Sequence, residues 1–335
     1  MSAALAATPA LTSGHRLRLL LLQNAPLLLF LVLITVFAAL SPRFLTPGNF
    51  LNILTQAAHI AIIAIGMTFV LLIAGIDLSV GANMYVACIV VALYMKGWPL
   101  AAGFATVAAL GLAFGAVNGF LVTRLRVPAF IATLSTLFIG RAVALYFSGV
   151  KMIMFGREVL VFGRTPFLGV PTAIWVFGAV FLVAWVTLRH TTFGRQVYAV
   201  GADPEAAAKA GIDVRRITFA VYCIFGVCAG LGGLVSASQV AAASSTFGFQ
   251  KEFPVIAAAV LGGTSLFGGR GGVAGTVFGA VLIQTVENGL VMTNADPYVY
   301  PLIVSAIIFV AVMVDSLRTD MLERLERRKI RVEAG

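Results

Sequence analysis

The chain has 335 residues, of which 60% are hydrophobic and only 11% charged, and it carries a net charge of +10. An ordinary soluble domain holds roughly 25% charged residues, so this balance excludes a soluble fold and points to an all-α polytopic membrane protein. The basic excess is what cytoplasmic loops give a membrane protein, and with no aromatic–basic interleaving or nucleic-acid motif beside it, nucleic acid is excluded as a partner.

Residues 1–18 begin with an Ala/Ser/Thr-rich stretch and are expected to form a disordered cytoplasmic N-terminus. Leu19 to Leu40 is then apolar apart from Gln23 and Asn24, longer than the apolar core of a secretory signal, and reads as a retained first span. Ten apolar segments follow one another: 19–40, 53–75, 80–95, 98–121, 127–148, 170–188, 217–240, 253–266, 273–293 and 298–315. Segments 80–95 and 253–266 are short enough to be re-entrant or broken helices rather than full spans. With all ten crossing and the N-terminus inside, sixteen Lys and Arg fall on inner regions and six on outer ones. That bias sets both termini in the cytoplasm and makes 316–335 a charged cytoplasmic tail on solvent or anionic lipid.

The polar breaks carry the functional signal. Gly75-Ile-Asp-Leu-Ser-Val-Gly81 interrupts the second and third segments. Asp77 and Ser79 are there either a gate in an interrupted helix or caps for the start of the third segment. Asn83, Asn118, Arg141, Glu252, Glu287 and Asn288 are further polar residues in or beside spans, where each is a pathway candidate or a structural bridge. Gly115-Ala-Val-Asn118-Gly-Phe-Leu-Val122 resembles Thr285-Val-Glu-Asn288-Gly-Leu-Val-Met292. The two lie five segments apart, an odd offset that predicts an inverted five-helix repeat.

The longest polar break, 192–216, sits between two strong spans and contains a short helix from Pro204 to Lys209 followed by Gly211. It reads as the place where another protein acts on the membrane domain. The glycine-rich run 260–272 has no Lys after its glycines and no soluble strand before it, so it fails as a phosphate-binding loop and reads as a tight hairpin. Cys88, Cys223 and Cys228 form no metal-ligand spacing and read as packing residues. His15, His59 and His190 form no catalytic group, and His59, inside the second segment, reads as a satisfied packing residue. No cofactor, metal site or enzymatic constellation is expected.

Five blocks occur in order: Phe44-Leu-Thr-Pro-Gly-Asn-Phe-Leu-Asn-Ile53; Gly75 to Gly81; Asn118-Gly119 with Val127-Pro-Ala-Phe-Ile-Ala-Thr-Leu134; Thr192-Phe-Gly-Arg195 through Gly211-Ile212; and Ala257-Ala-Ala-Val-Leu-Gly-Gly-Thr-Ser-Leu266. With them the chain, from about Arg43 to Asp315, resembles the permeases of ribose-type sugar ABC importers in the branched-chain/ribose permease superfamily. The resemblance implies a bacterial inner-membrane subunit that moves a monosaccharide by alternating access. It works with a second permease copy or paralogue, a separate cytoplasmic ATPase and a periplasmic sugar-binding protein. The family's coupling pattern falls on Glu205, Ala206, Ala207 and Gly211, flanked by Gly194 and Arg195, with Asp203 placed to cap a helix that starts at Pro204. Gly201-Ala-Asp-Pro204 and Gln250-Lys-Glu-Phe253 depart from the family pattern, and in the second only Glu252 carries over. Asp77, Ser79, Asn83, Asn118, Glu252 and Asn288 are the expected pathway or gate residues. The rival reading is a proton-coupled secondary transporter using Asp77, Glu287 or Arg141.

Overall fold

The computed structural model describes residues 25–306 together with 309, 310 and 313. The expected disordered N-terminus, the start of the first span, most of the tenth segment after 306 and the charged tail lie outside the described residues.

In chain order the helices are α1 (Ala25–Leu40), α2 (Pro47–Leu72), α3 (Val80–Tyr94), α4 (Leu100–Thr123), α5 (Ala129–Ser148), α6 (Arg157–Arg164), α7 (Thr172–His190), α8 (Thr192–Ala202), α9 (Pro204–Lys209), α10 (Val214–Val240), α11 (Glu252–Leu261) and α12 (Val273–Met292). Two-residue strands β1 (Ile153–Met154) and β4 (Ala242–Ala243) pair antiparallel, as do β2 (Pro166–Phe167) and β3 (Val170–Pro171). Among the described residues, six helices are long and apolar enough to cross a bilayer: α2, α4, α5, α7, α10 and α12. Three shorter apolar helices, α1, α3 and α11, accompany them. This is a mostly helical, multi-pass membrane protein.

Its core is built on α2 and α10. α2 starts cleanly because Pro47 fills its first turn, where a missing N–H costs nothing, and most of its residues from Ala57 to Leu72 are buried. α4 packs against α10 through Gly111, Gly115 and Gly226, and α12 packs against α2. Small residues at such crossings let backbones approach where lipid supplies no hydrophobic drive. Cys88 and Cys228 are buried and Cys223 is half-buried, all as free thiols, as expected for packing residues. Outward faces of α4, α5 and α7 expose Leu112, Phe120, Phe138, Ile139, Leu182 and Val183, the apolar coat that a lipid environment requires.

The bundle has two ends. One gathers the turn after α2, the end of α4, the α8–α9 segment and the 262–272 hairpin. The other gathers the ends of α1, α3, α5 and α10, the 149–171 loop and, within it, α6. α6 was not expected from the sequence; it is a short amphipathic helix within the 149–171 loop.

Two of the sequence readings change. The polar break 192–216 is not a loop around one short helix: α8 adds three turns before α9. His59 is buried, yet neither ring nitrogen makes a hydrogen bond of normal geometry, the Gln56 carbonyl one turn before it being poorly aligned, so the expected satisfied packing residue is at best weakly paired.

Candidate functional site

Three side-chain groups stand out: two adjoin each other within the bundle, around the start of α3, and the third lies at one end. The first group is built on the irregular segment 73–79. α2 ends at Leu72, and the chain then runs without regular structure to Ser79, where α3 begins. α3 has 15 residues, ~22 Å at 1.5 Å per residue, short of the ~30 Å of hydrocarbon.

Exposed backbone in such a place needs partners, and the polar side chains supply them. Asp77 Oδ1 accepts from Ser79 N at 2.8 Å and from Ser79 Oγ at 2.6 Å. Asn118 on α4 donates from Nδ2 to Asp77 Oδ2 at 3.0 Å and to Ser79 Oγ at 2.9 Å. Its Oδ1 accepts from Thr136 of α5 at 2.7 Å. Asp77 and Asn118 are fully buried, and three elements are tied together by one closed network. The helix-capping alternative fails: Ser79 is the N-cap of α3, but its side chain makes no cap bond. Thr136 was missed from sequence because Thr on a helix is common and carries no signal on its own.

Asn83, one turn into α3, donates to the Gly226 carbonyl of α10 at 3.0 Å. Beside it the starts of α3 and α11 meet. A Cβ on Gly81 would overlap the Gly248 carbonyl and would lie 3.7 Å from Glu252 Oε2. The Glu252 carboxylate, in the first turn of α11, is thus close to the N-terminal end of α3 as well, where a negative group is favoured. Arg141 of α5 holds the chain leading to α11: its guanidinium donates to the carbonyls of Ser245 and Phe247 and stacks on Phe249 at 5.0 Å and Tyr85 at 5.8 Å. Five fork-shaped donors and a weakly hydrated cation make Arg suited to this. Asn288 is not part of this group. It lies toward the other end of α12, where Asn49 Nδ2 of α2 donates to its Oδ1 at 3.0 Å.

The third group is the α8–α9 segment, set by three successive caps. Thr191 Oγ1 accepts from Gly194 N at 3.1 Å, Asp203 Oδ1 accepts from Glu205 N and Ala206 N at 2.9 Å each, and Asp213 Oδ1 accepts from Arg216 N at 3.1 Å. Gly211 closes α9 at φ +86°, the left-handed conformation glycine adopts without strain. The residues divide by direction. Gly194 and Ala207 are buried against the protein, whereas Arg195, Asp203, Glu205, Ala206 and Gly211 are exposed. Gly201 seats α8 on the bundle: a Cβ there would overlap the Leu72 carbonyl at the end of α2. That carbonyl accepts from Gly269 N at 2.9 Å. Tyr198 donates its phenol to the Gly271 carbonyl at 2.9 Å, and burial pushes its pKa up, which keeps the donor proton in place. The 260–272 run forms the expected hairpin, with Ser265 N bonded to the Arg270 carbonyl at 2.9 Å and Gly262 packed on Gly275.

The site's geometry is that of a multi-pass membrane bundle in which two short helices meet start to start and a capped, exposed helix pair sits at one end. Residues 49–314 match the family described as branched-chain amino acid transport system / permease component, and the chain belongs to that family. It is similar to the ribose import permease protein RbsC of Escherichia coli (strain K12), 40% identical over 88% of this chain and 94% of that protein. It is also similar to the ribose import permease protein RbsC of Bacillus subtilis (strain 168), 37% identical over 87% and 91%, and to the D-allose transport system permease protein AlsC of Escherichia coli (strain K12), 35% identical over 85% and 89%. No solved structure matches this chain. The chain is accordingly a ribose-type sugar ABC permease, a transport subunit and not an enzyme.

Proposed function

We propose that this chain carries a monosaccharide, a ribose-like pentose or a hexose, into the cytoplasm across the bacterial inner membrane by alternating access. A separate ATPase drives it and a periplasmic binding protein delivers the sugar. A second copy or a paralogue completes the pathway, and lipid surrounds the pair. The single observation that carries this is the α8–α9 segment: an exposed, capped helix whose base is hydrogen-bonded and packed onto the end of α2 and the 262–272 hairpin. Asp203 and Glu205 offer carboxylates at the positive end of α9, Arg195, Ala206 and Gly211 complete the exposed contact face, and buried Gly194 and Ala207 shape it from behind. The relatives named for ribose and allose support the substrate class.

In the same reading the chain crosses ten times with both termini in the cytoplasm and forms an inverted repeat of five plus five segments. Several observations support the repeat. α3 and α11, five segments apart, are each too short to cross as a helix alone and need the irregular chain beside them to do so, and their starts meet at Gly81 and Glu252. α4 rests on α10 as α12 rests on α2, and Asn118 and Asn288 sit on the matching helices. Asp77, Ser79, Asn83, Asn118 and Glu252 would then line or latch the gate at the centre, with Asn288 nearer the outer end. A proton-driven carrier working through Asp77 is disfavoured, since Asp77 is fully buried and already accepts three hydrogen bonds; the protonophore arm of the test decides for Glu287 and Arg141.

The test is ATP-driven uptake of labelled ribose, allose, galactose and fructose into vesicles holding the complete complex, with and without a protonophore at fixed ATP. Uptake of one of these sugars that survives the protonophore is the expected result. Uptake abolished by it would overturn the reading.

A further inference from the structure

The outer half of α2 carries a descending line of amides. Asn52 is exposed, Gln56 half-buried and His59 buried, and at spacings of four and three they share one helical face. The upper members are joined: Gln56 Nε2 donates to Asn52 Oδ1 at 2.9 Å. Buried Gln284 on α12 donates to Gln56 Oε1 at 3.0 Å. Gln239 of α10 flanks the line by donating to the Thr55 carbonyl at 2.7 Å. The line ends at His59, beside Gly232 of α10. Pro47 begins the helix, which places the imidazole ~18 Å along it.

His59 is 8% exposed, and both of its ring nitrogens are buried without a partner. The other such atoms among the described residues are Asn83 Oδ1 and Thr264 Oγ1. Asn83 has a partner for its other amide atom, and a hydroxyl such as that of Thr264 can rotate to find one. Of these three residues only His59 has a rigid ring with no hydrogen bond of normal geometry at either end, the Gln56 carbonyl one turn before it being a poorly aligned neighbour. Buried polar groups in native proteins are nearly always paired, and an orphan calls for a missing ligand or water. A neutral imidazole offers one donor and one acceptor on opposite sides of a planar ring. A sugar hydroxyl both donates and accepts, and neighbouring hydroxyls on a pyranose or furanose present the pair that this ring lacks.

We infer that His59, at the foot of the Asn52–Gln56–Gln284 line, binds the hydroxyl groups of the monosaccharide as it passes through the membrane. This rests on the sugar-transport reading above. The amides hand the sugar inward from the outer end, and His59 is the innermost polar stop on this face of α2. Below it, Ile60 to Leu72 is interrupted only by Gly66 and Thr68, and Thr68 is already paired with Thr276 of α12 at 2.6 Å.

The test compares wild type, His59→Leu and His59→Gln in the complete complex, reading initial uptake of the sugar that wild type carries, together with the thermal midpoint of the purified permease. Leu removes the orphaned nitrogens at similar volume, so the midpoint should hold or rise, while uptake at subsaturating sugar falls about tenfold. Gln restores one donor and one acceptor and should return uptake to within about threefold of wild type. Wild-type uptake by His59→Leu would overturn the site while leaving the transport reading intact. A matched fall in uptake and thermal midpoint, with no rescue by Gln, would make His59 structural and also overturn it. Failure of wild type to carry any sugar would remove the transport reading itself.

Discussion

The Asp77–Asn118 contact can be tested by exchanging its two ends. Asn118→Asp places a carboxylate where an amide nitrogen stood 3.0 Å from Asp77 Oδ2. Two unit charges at ~3 Å repel by about 5 kcal/mol at an effective dielectric of 20. Relaxation and proton uptake would leave a measured loss of about 2–4 kcal/mol. Asp77→Asn keeps the two bonds from Ser79 but turns a charge-assisted contact into two facing amides, one of which must flip, and should cost about 1–2 kcal/mol. In the double exchange the amide now at position 77 donates to the carboxylate now at position 118. The other oxygen of that carboxylate still accepts from Thr136, which already donates to this position. Only the bond into Ser79 Oγ is lost. The exchanged pair should therefore sit at least about 2 kcal/mol above the sum of the single losses, within the range measured for contacting residues. The assay is a double-mutant cycle on unfolding of the purified permease in detergent. A coupling energy within about 0.5 kcal/mol of zero would refute the contact as the tie between the 73–79 segment and α4.

Other variants separate the remaining groups. Gly201→Ala should be among the most damaging changes at the α8 end, because the methyl collides with the Leu72 carbonyl backbone; we expect a loss of about 2–3 kcal/mol, read as a lowered unfolding midpoint. Asp203→Ala removes the acceptor for two backbone N–H groups and should lower stability by only about 1 kcal/mol. It should reduce uptake per ATP hydrolysed far more than it reduces stability, and a proportional fall in both would count against a coupling role. Arg141→Gln removes the donors to Ser245 and Phe247 and the stacking on Phe249. The 244–250 segment should then exchange its amide hydrogens about tenfold faster, with α2 and α10 unchanged.

Much of this was legible in the residues because membrane insertion restricts the options. Continuous apolar runs mark helices, and the two runs too short to span, 80–95 and 253–266, are the ones that form the short helices α3 and α11. Asp203-Pro204 and Gly211 define α9 by local chemistry alone, and the cap forms as read. What stayed hidden depends on contacts between distant segments. Asp77 and Ser79 read equally well as a helix cap until Asn118 and Thr136, on two other helices, were brought to them. α8 was hidden because Thr192–Ala202 is only weakly apolar and lies between a span and a stronger helix signal. His59 looked satisfied because a lone His in an apolar run usually is, and no feature of the sequence shows which neighbours come within hydrogen-bonding reach. Gln56 and Gln284 could have been found, as amides inside apolar helices.

The positions of these groups give the proposed coupling a short mechanical route. A push on α9 moves α8, whose Gly201 is in van der Waals contact with the end of α2. From Leu72 the irregular 73–79 segment leads directly to the Asp77–Ser79–Asn118–Thr136 network. That network fixes where α3 starts, and the start of α3 abuts Gly248 and Glu252 at the start of α11. The Arg141 side chain holds the same 244–250 segment from the far side. A closed, fully satisfied polar network is rigid and should switch between two arrangements rather than bend. The route therefore predicts that weakening the network loosens coupling at both ends. Asn118→Ala should lower uptake per ATP and also raise amide exchange in 244–250, although no residue of that segment is hydrogen-bonded to Asn118. Exchange in 244–250 that stays at the wild-type rate in Asn118→Ala, with coupling lost, would show that the push reaches the outer segment by another path, through α12 and the 262–272 hairpin.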